Sequence, residues 1–168
     1  MRKWLDALYS ASAWLAGLFM IGILLMVLLT IVSRVVGFSA PGSDAYAGYA
    51  MAGAGFMALA STLKKGEHIR VTLLLSALKG RAHKGAELLA LSIATLLAGF
   101  LAWYSVHLVW QSWEIDDISV GIDATPMWIP QISMALGTIV FFIAFLDELV
   151  LELRGQRVAP SQEDAHHE

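Results

Sequence analysis

The sequence predicts an all-α integral membrane protein with four transmembrane helices and both termini in the cytoplasm. Of its 168 residues, 58% are hydrophobic and 15% are charged, whereas soluble domains average about 45–50% apolar and about 25% charged residues. Four stretches without a charged residue, at 7–33, 45–63, 88–113 and 124–146, contain 27, 19, 26 and 23 residues. A helix needs about 20 mostly apolar residues to cross the hydrocarbon core, so each stretch is long enough to span a membrane.

The distribution of Lys and Arg predicts the orientation. With four spans, the two termini and the middle loop lie on one side of the membrane, and two short loops lie on the other. Ten of the eleven Lys and Arg residues fall on the first side, and only Arg34 falls on the second. Because Lys and Arg accumulate in cytoplasmic segments, we expect the termini and the middle loop in the cytoplasm, where the basic residues contact membrane lipids.

The first span is predicted at residues 14–36, and a turn-rich outer loop follows at 37–42. The second span is predicted at 44–63, with Ser43 or Asp44 as its N-cap. Arg34 at the outer end of the first helix has two interpretations: it reaches up to the headgroups, or it forms an outer-face ion pair with Asp44 or with an acidic loop further along.

The segment 69–78 after the second span is too short to cross the membrane. Its Val71, Leu74, Leu75 and Leu78 fall on one face of a helix. We therefore predict a short interfacial helix between helices two and three, lying along the membrane surface or against a partner.

The third and fourth spans are predicted at 86–113 and 127–147. Pro130 is tolerated at the start of the last helix because N–H groups of the first turn have no partner within the helix. Residues 1–154 thus form a single membrane domain, and the polar residues 155–168 form a flexible tail. The acidic loop between these spans carries four acids and no base, and is either a solvated cap or a docking surface. The four acids are Glu114, Asp116, Asp117 and Asp123.

Small residues recur at every fourth position in the second and third helices. In lipid, small side chains favour helix association because they allow the backbones to approach closely. These residues are therefore predicted to pack helices together, although alanine is also simply common in membrane helices. The positions are Ala50, Ala54 and Ala58 in the second helix and Ala86, Ala90, Ala94, Ala98 and Ala102 in the third.

The composition argues against several classes of function. The absence of cysteine excludes disulfides and iron–sulfur ligation, and a formal net charge of −3 does not suit a nucleic-acid-binding face. The four uncharged stretches contain no Asp or Glu, whereas a proton-coupled pump would need a carboxylate within a span. His107 is the only histidine within a span, and is expected to be interfacial or to pack against a helix, with Gln111 within reach. We therefore predict no catalytic residues, no cofactor and no bound metal.

Two motifs resemble those of a known family. Residues 66–71, Gly-Glu-His-Ile-Arg-Val, resemble the G-x-H-I-x-V signature of the small membrane subunit of tripartite ATP-independent periplasmic (TRAP) transporters, the DctQ-like family. Residues 126–130, Pro-Met-Trp-Ile-Pro, are similar to the element that opens the last helix in that family. By this resemblance, the family-motif and subunit-interface residues are Gly66, His68, Ile69, Val71, Gly121, Pro126, Trp128 and Pro130.

The resemblance implies a complex in the bacterial inner membrane. In that family the small subunit pairs with a large multi-span permease and with a soluble periplasmic substrate-binding protein. The large subunit holds the substrate and sodium sites and uses an ion gradient to take up carboxylate-containing solutes, while the small subunit braces it. The acidic loop would then help to dock the binding protein. The alternative is an accessory or anchor subunit of another inner-membrane complex, such as a respiratory complex.

Overall fold

The computed structural model describes residues 2–64 and 81–154, which form four α-helices. These helices are α1 (Arg2–Val36), α2 (Ser43–Lys64), α3 (Arg81–Glu114) and α4 (Trp128–Leu153). Three of them contain segments long and apolar enough to cross a membrane, namely Trp4–Val36, Lys84–Glu114 and Trp128–Leu153. The all-α class predicted from the sequence is therefore confirmed for the described residues.

The second helix differs from the other three. It has 22 residues, which is long enough to span, but its Gly, Ser and Tyr residues make it less apolar, and it is not among the segments with the hydropathy of a span. The transmembrane character of 44–63 therefore remains a prediction. The predicted interfacial helix at 69–78, its motif residues Gly66, His68, Ile69 and Val71, and the tail at 155–168 lie outside the described residues.

The helices extend beyond the predicted spans. The first begins at Arg2 and has 35 residues, so at about 1.5 Å per residue it is about 52 Å long. A bilayer including its headgroups is about 40–45 Å thick. The predicted start at residue 14 marks where the sequence becomes continuously apolar, and the helix itself begins a full three turns earlier.

The four helices form a row in the order α1, α2, α4, α3. α2 packs along α1 on one side and along α4 on the other, and α4 in turn packs along α3. α1 meets α4 only marginally, and within the described residues α3 has no contact with α1 or α2. In a closed bundle every helix has two main neighbours, whereas here α1 and α3 have one each. Their long apolar outer faces are exposed, as suits a surface surrounded by lipid.

Small side chains fill most of the space between the helices. The buried apolar residues include Ala54, Ala60, Ala98, Ala135 and Ala144. At the end of the row where α2 and α4 end, here called the inner end, Ala60 and Ala144 form a cluster with Tyr9 and Val140. Helices with small residues between them come close enough for their backbones to make extensive van der Waals contact.

Two junctions in the row use a glycine beneath an aromatic ring. Between α1 and α2, a Cβ atom on Gly53 would lie 3.0 Å from the ring of Phe19. Between α3 and α4, a Cβ atom on Gly99 would lie 3.0 Å from the ring of Phe142. In both places the absence of a side chain lets the ring lie against the opposite backbone.

The junction between α2 and α4 is tighter still. A Cβ atom on Gly137 would lie 2.6 Å from the carbonyl carbon and oxygen of Phe56. Because the opposing atoms belong to the backbone, no side-chain movement can relieve this overlap. Gly137 therefore sets the distance between the two central helices of the row.

The alanine series predicted to pack helices is divided by the structure. Ala54 and Ala98 are buried, Ala50, Ala58 and Ala94 are half-buried, and Ala90 is exposed. A four-residue step advances about 40° beyond one full turn of an α-helix, so a long series at this spacing drifts around the helix. The buried stripe of α3 follows mixed three- and four-residue steps through Leu91, Thr95, Ala98, Ala102 and Ser105.

Gly137→Ala is expected to lower the free energy of unfolding by about 1–3 kcal/mol, because the added methyl group overpacks the α2–α4 junction. The measurement is unfolding of the purified protein in mixed micelles, followed by far-UV circular dichroism. Gly55→Ala is the matched control, since a Cβ atom there meets no atom within 4 Å. It should leave stability unchanged or raise it slightly through helix propensity. Equal effects of the two substitutions would contradict this account.

Candidate functional site

The opposite end of the row, here called the outer end, carries a network of polar side chains. This network is here called the outer cap and consists of Tyr46, Tyr49, Ser119, Asp123 and Thr125. The two tyrosines lie one turn apart near the start of α2, with their rings 6.0 Å apart edge to face. The Tyr49 hydroxyl donates a hydrogen bond to Asp123 Oδ2 at 2.9 Å, and the Ser119 hydroxyl donates to Asp123 Oδ1 at 3.0 Å. Thr125 Oγ1 lies 3.3 Å from the Tyr46 hydroxyl. The cap thus joins α2 to the loop between α3 and α4.

The loop between α3 and α4 folds into a short hairpin. Ile118 and Pro126 form an isolated antiparallel bridge, and the Ser119 N–H donates to the Thr125 carbonyl at 2.9 Å. Asp116 adopts a left-handed conformation with φ of 50°, which Asp tolerates better than most residues. Backbone hydrogen bonds therefore position the side chains of this loop.

Gly42 allows the two outer loops to meet. Its φ of +81° lies in the left-handed region, and a Cβ atom there would lie 2.9 Å from the Cβ of Asp123. Both the backbone conformation and the close approach require glycine. The turn between α1 and α2 therefore supports the loop between α3 and α4.

The surroundings of Asp123 stabilise its ionised form. Interaction with the Thr125 side chain, followed by the hydrogen bonds from Tyr49 and Ser119, lowers the pKa of Asp123 to about 2. Hydrogen bonds to a carboxylate favour its charged state. Asp123 therefore remains a carboxylate near neutral pH, with its oxygens engaged within the chain.

The four predicted docking acids consequently occupy different environments. Glu114 and Asp116 are exposed, Asp117 is half-buried, and Asp123 belongs to the outer cap. The first three lie where a partner could reach them, and a docking role for any of the four remains a prediction.

A second polar group lies at the inner end of the row. Lys64, the last residue of α2, forms an ion pair with Asp147, and its Nζ also lies 3.1 Å from Glu148 Oε1. The same Nζ lies 5.2 Å from the centre of the Tyr9 ring, within the range of a cation–π interaction. This inner ion cluster (Tyr9, Lys64, Asp147 and Glu148) joins α1, α2 and α4.

Sequence reasoning did not identify the inner ion cluster. Lys64 and Asp147 are the charged residues that directly follow the uncharged stretches 45–63 and 124–146. A usable signal was present, because the predicted topology puts the end of the second span and the end of the fourth on the same side of the membrane. Opposite charges at those two ends are a reason to expect a pair.

The motif residues in the described region surround the start of α4. Trp128 is the first residue of α4, and its ring lies 5.3 Å from that of Trp113 at the end of α3. The Pro126 carbonyl accepts a hydrogen bond from the Ile129 N–H at 3.1 Å, and the Gly121 N–H donates to Ser119 Oγ at 3.2 Å. With Pro130 in the first turn of α4, these residues shape the connection between α3 and α4.

Arg34 and Asp44 lie near the outer end of the α1–α2 pair. The Thr30 hydroxyl oxygen lies 2.9 Å from Ser43 Oγ and 3.4 Å from Asp44 Oδ1, and Arg34 is exposed. The ion pair between Arg34 and Asp44 stays a prediction.

His107 and Gln111 are both exposed on α3. Among residues 2–64 and 81–154, no group of three or more His, Asp or Glu side chains is arranged to hold a metal ion.

Comparison with protein families gives one result that bears on this arrangement. The family model described as "Tripartite ATP-independent periplasmic transporters, DctQ component" matches residues 23–155. That range contains all of α2, α3, α4 and the outer cap, together with residues 23–36 of α1. No curated protein sequence matches the chain.

Asp123→Asn is expected to loosen the outer cap, because an amide accepts fewer hydrogen bonds than a carboxylate. The measurement is hydrogen–deuterium exchange of the backbone amides in residues 117–127, which should become faster. Tyr104→Phe removes an exposed hydroxyl elsewhere and should leave this exchange unchanged. Unaltered exchange in the Asp123 variant would show that the backbone bridge alone holds the loop.

The same carboxylate predicts a pH dependence. Its folded-state pKa of about 2 lies below the usual value of about 3.9 for an unfolded Asp. The stabilisation is therefore complete above about pH 4 and is lost as the pH falls toward 2. Protection of the backbone amides of residues 117–127 against hydrogen–deuterium exchange should decrease as the pH falls through this range. If the Asp123→Asn variant shows the same pH dependence as wild type, another group is responsible for it.

Lys64→Met is expected to lower the free energy of unfolding by about 1.5–3 kcal/mol, because it leaves two partly buried carboxylates without their cation. Lys84→Met provides the control, since Lys84 is exposed at the start of α3. Exchanging the charges, in Lys64→Asp with Asp147→Lys, should recover part of the loss. If the charge exchange recovers none of the lost free energy of unfolding, the ion pair between positions 64 and 147 is not the source of the destabilisation.

Proposed function

The chain belongs to the DctQ component family of tripartite ATP-independent periplasmic transporters. We propose that it is the small, non-catalytic subunit that braces the large permease in the bacterial inner membrane. The family match over residues 23–155 covers most of the chain. The observation that carries the bracing role is the row of helices tied together at both ends. A brace must keep its shape under load, and contacts at several separate points along two helices prevent them from sliding or rotating.

The two central helices provide this stiffness. α2 is joined to the loop that precedes α4 at the outer cap, through Tyr49 and Asp123. It is joined to α4 itself near the middle through Phe56 and Gly137, and at the inner end through Lys64 and Asp147. Each junction uses a different interaction: a hydrogen bond, a close backbone contact and an ion pair. The outer faces of α1 and α3 remain available to lipid and to the permease.

We propose that both termini lie in the cytoplasm. The inner ion cluster then lies at the cytoplasmic end of the row, and the outer cap lies at the periplasmic end. We also propose that α2 is a fourth transmembrane span. α2 has 22 residues, which corresponds to about 33 Å at about 1.5 Å per residue, and it packs between α1 and α4, both apolar enough to cross a bilayer.

Transport itself is assigned to the large subunit. We propose that the permease holds the sites for sodium and for a carboxylate-containing solute, which the binding protein delivers. The inner motif residues Gly66, His68, Ile69 and Val71 would contribute to the interface with the permease. Gly121, Pro126, Trp128 and Pro130 would shape the periplasmic turn, as described above for the start of α4.

Co-purification tests the proposed function directly. A tagged chain, expressed together with its neighbouring genes, should recover a large multi-span permease. When reconstituted with this permease and a binding protein, it should support solute uptake driven by a sodium gradient, and it should transport nothing when reconstituted alone. Recovery of a haem-containing or redox partner instead of a permease would contradict the proposal and favour the respiratory alternative.

The three acids of the loop that lie outside the outer cap are expected to speed association with the binding protein. Combined Glu114→Gln, Asp116→Asn and Asp117→Asn substitutions should slow binding-protein-dependent uptake at low ionic strength, because charge steering raises the association rate. The difference from wild type should shrink as salt is added, since ions screen exposed charges. Asp44→Asn, an outer acid outside this loop, is the control. Unchanged uptake of the triple variant at low salt would exclude the docking role.

A further inference from the structure

The hairpin between α3 and α4 exposes apolar side chains on the outer side of the row. Val120 is fully exposed, and Ile122 and Ile118 are 84% and 54% exposed. These three residues are here called the apolar tip. Single exposed aliphatic residues are ordinary on protein surfaces, but three within five positions of a short polar loop form a patch of the kind that marks an interaction site.

The hairpin backbone determines that these side chains point outward. Ser119 turns inward to hydrogen-bond with Asp123, and successive side chains along extended chain point to opposite sides. Ile118, which precedes Ser119, therefore lies on the outer side. Val120 and Ile122 lie in the turn at the end of the hairpin, where their side chains are exposed. Because the bridge from Ile118 to Pro126 and the outer cap already hold the hairpin, the tip is ordered before any partner arrives, which reduces the entropic cost of binding.

The position of the hairpin argues against burial of the tip in lipid. The loop reaches over the start of α2, where Asp123 meets Gly42, and α2 is an inner helix of the row. The lipid-facing edges are formed by α1 and α3, on either side. The acids Glu114, Asp116 and Asp117 also precede the tip directly, and a cluster of like negative charge is repelled by anionic headgroups.

We propose that the apolar tip is the anchor by which the periplasmic binding protein docks on this subunit, inserting Val120 and Ile122 into an apolar hollow with a basic rim. This inference rests on the proposed function and assigns the partner-binding surface in it. The charges specify the chemistry of the partner surface: the loop carries four acids and no base, so a complementary surface carries Lys or Arg around the hollow.

The tip and the acids then have separate kinetic roles. Long-range attraction by exposed acids raises the association rate and weakens with salt. Aliphatic side chains buried at the centre of an interface set the lifetime of the complex, because most affinity differences within one interface arise in the dissociation rate. Loss of the tip should therefore accelerate dissociation at any ionic strength.

The experiment uses the complex of this chain with its permease in lipid nanodiscs, immobilised for surface plasmon resonance with the binding protein in solution. The double variant Val120→Ser with Ile122→Ser should raise the dissociation rate at least about tenfold at both low and high salt, with little change in the association rate. Phe38→Ser is the matched control, since Phe38 is an exposed apolar residue of the other outer loop, and it should behave as wild type. Normal exchange of the Ser119 amide confirms that the hairpin remains folded.

The outcomes separate this inference from the proposed function. An unchanged dissociation rate, with the permease still present, overturns the role of the tip and leaves the proposed function intact. Loss of the permease from the double variant also overturns it, because the tip would then contact the permease. If the wild-type chain recovers no permease, the proposed function itself fails.

A single introduced cysteine tests whether lipid, and not the binding protein, covers the apolar tip. The chain has no native cysteine, so Val120→Cys can be labelled selectively with a polarity-sensitive dye, with Phe38→Cys as the reference position. Emission from position 120 should shift to shorter wavelength only when the binding protein is added. A shift already present in nanodiscs without the binding protein would mean that the tip lies in the membrane, and would overturn the proposal.

Discussion

The contact between Gly137 and the backbone of Phe56 determines how the two central helices of the row pack. In water, apolar helices associate because association removes hydrocarbon from the solvent, whereas in lipid that gain is nearly absent. Attraction must then come from van der Waals contact over short distances. At Gly137 a Cβ atom would lie 2.6 Å from the opposing carbonyl group, so the absence of a side chain permits the approach on which the α2–α4 pair depends.

The other interactions of the fold add specificity to this pair. The outer cap joins α2 to the loop that leads into α4, and the inner ion cluster joins α2 to α4 at the opposite end. Together they fix the register and relative rotation of the two helices. α1 is then attached through Phe19 over Gly53 and through the Ser12 hydroxyl, which donates to the Met57 carbonyl at 2.5 Å. α3 is attached on the other side through Gly99 and Phe142. The row is thus a stiff central pair with one helix added at each edge.

This organisation suits a subunit whose task is to hold a partner in place. The stiffest contacts lie in the centre, and the surfaces available to other molecules lie at the edges and at the outer hairpin. The hairpin combines two features: acids that directly precede it and aliphatic side chains at its tip. Its backbone is supported from below by α2, so the surface it presents is connected directly to the stiff part of the molecule.

The sequence by itself determined the membrane character, the helical class and three of the apolar spans, because hydropathy and charge are local properties that a linear pattern displays. It also indicated the family, because the two motifs are short and continuous in the chain. It did not determine which helices are neighbours. The row order, the role of Gly137, the pairing of Lys64 with Asp147 and the engagement of Asp123 by Tyr49 depend on how distant segments are rotated and aligned. The alanine series shows the same limit: spacing alone does not say which alanines face a neighbouring helix of this chain, and within the described residues Ala98 is buried whereas Ala90 is exposed. Only the tertiary structure decides such pairings, because each requires a contact between residues far apart in the chain.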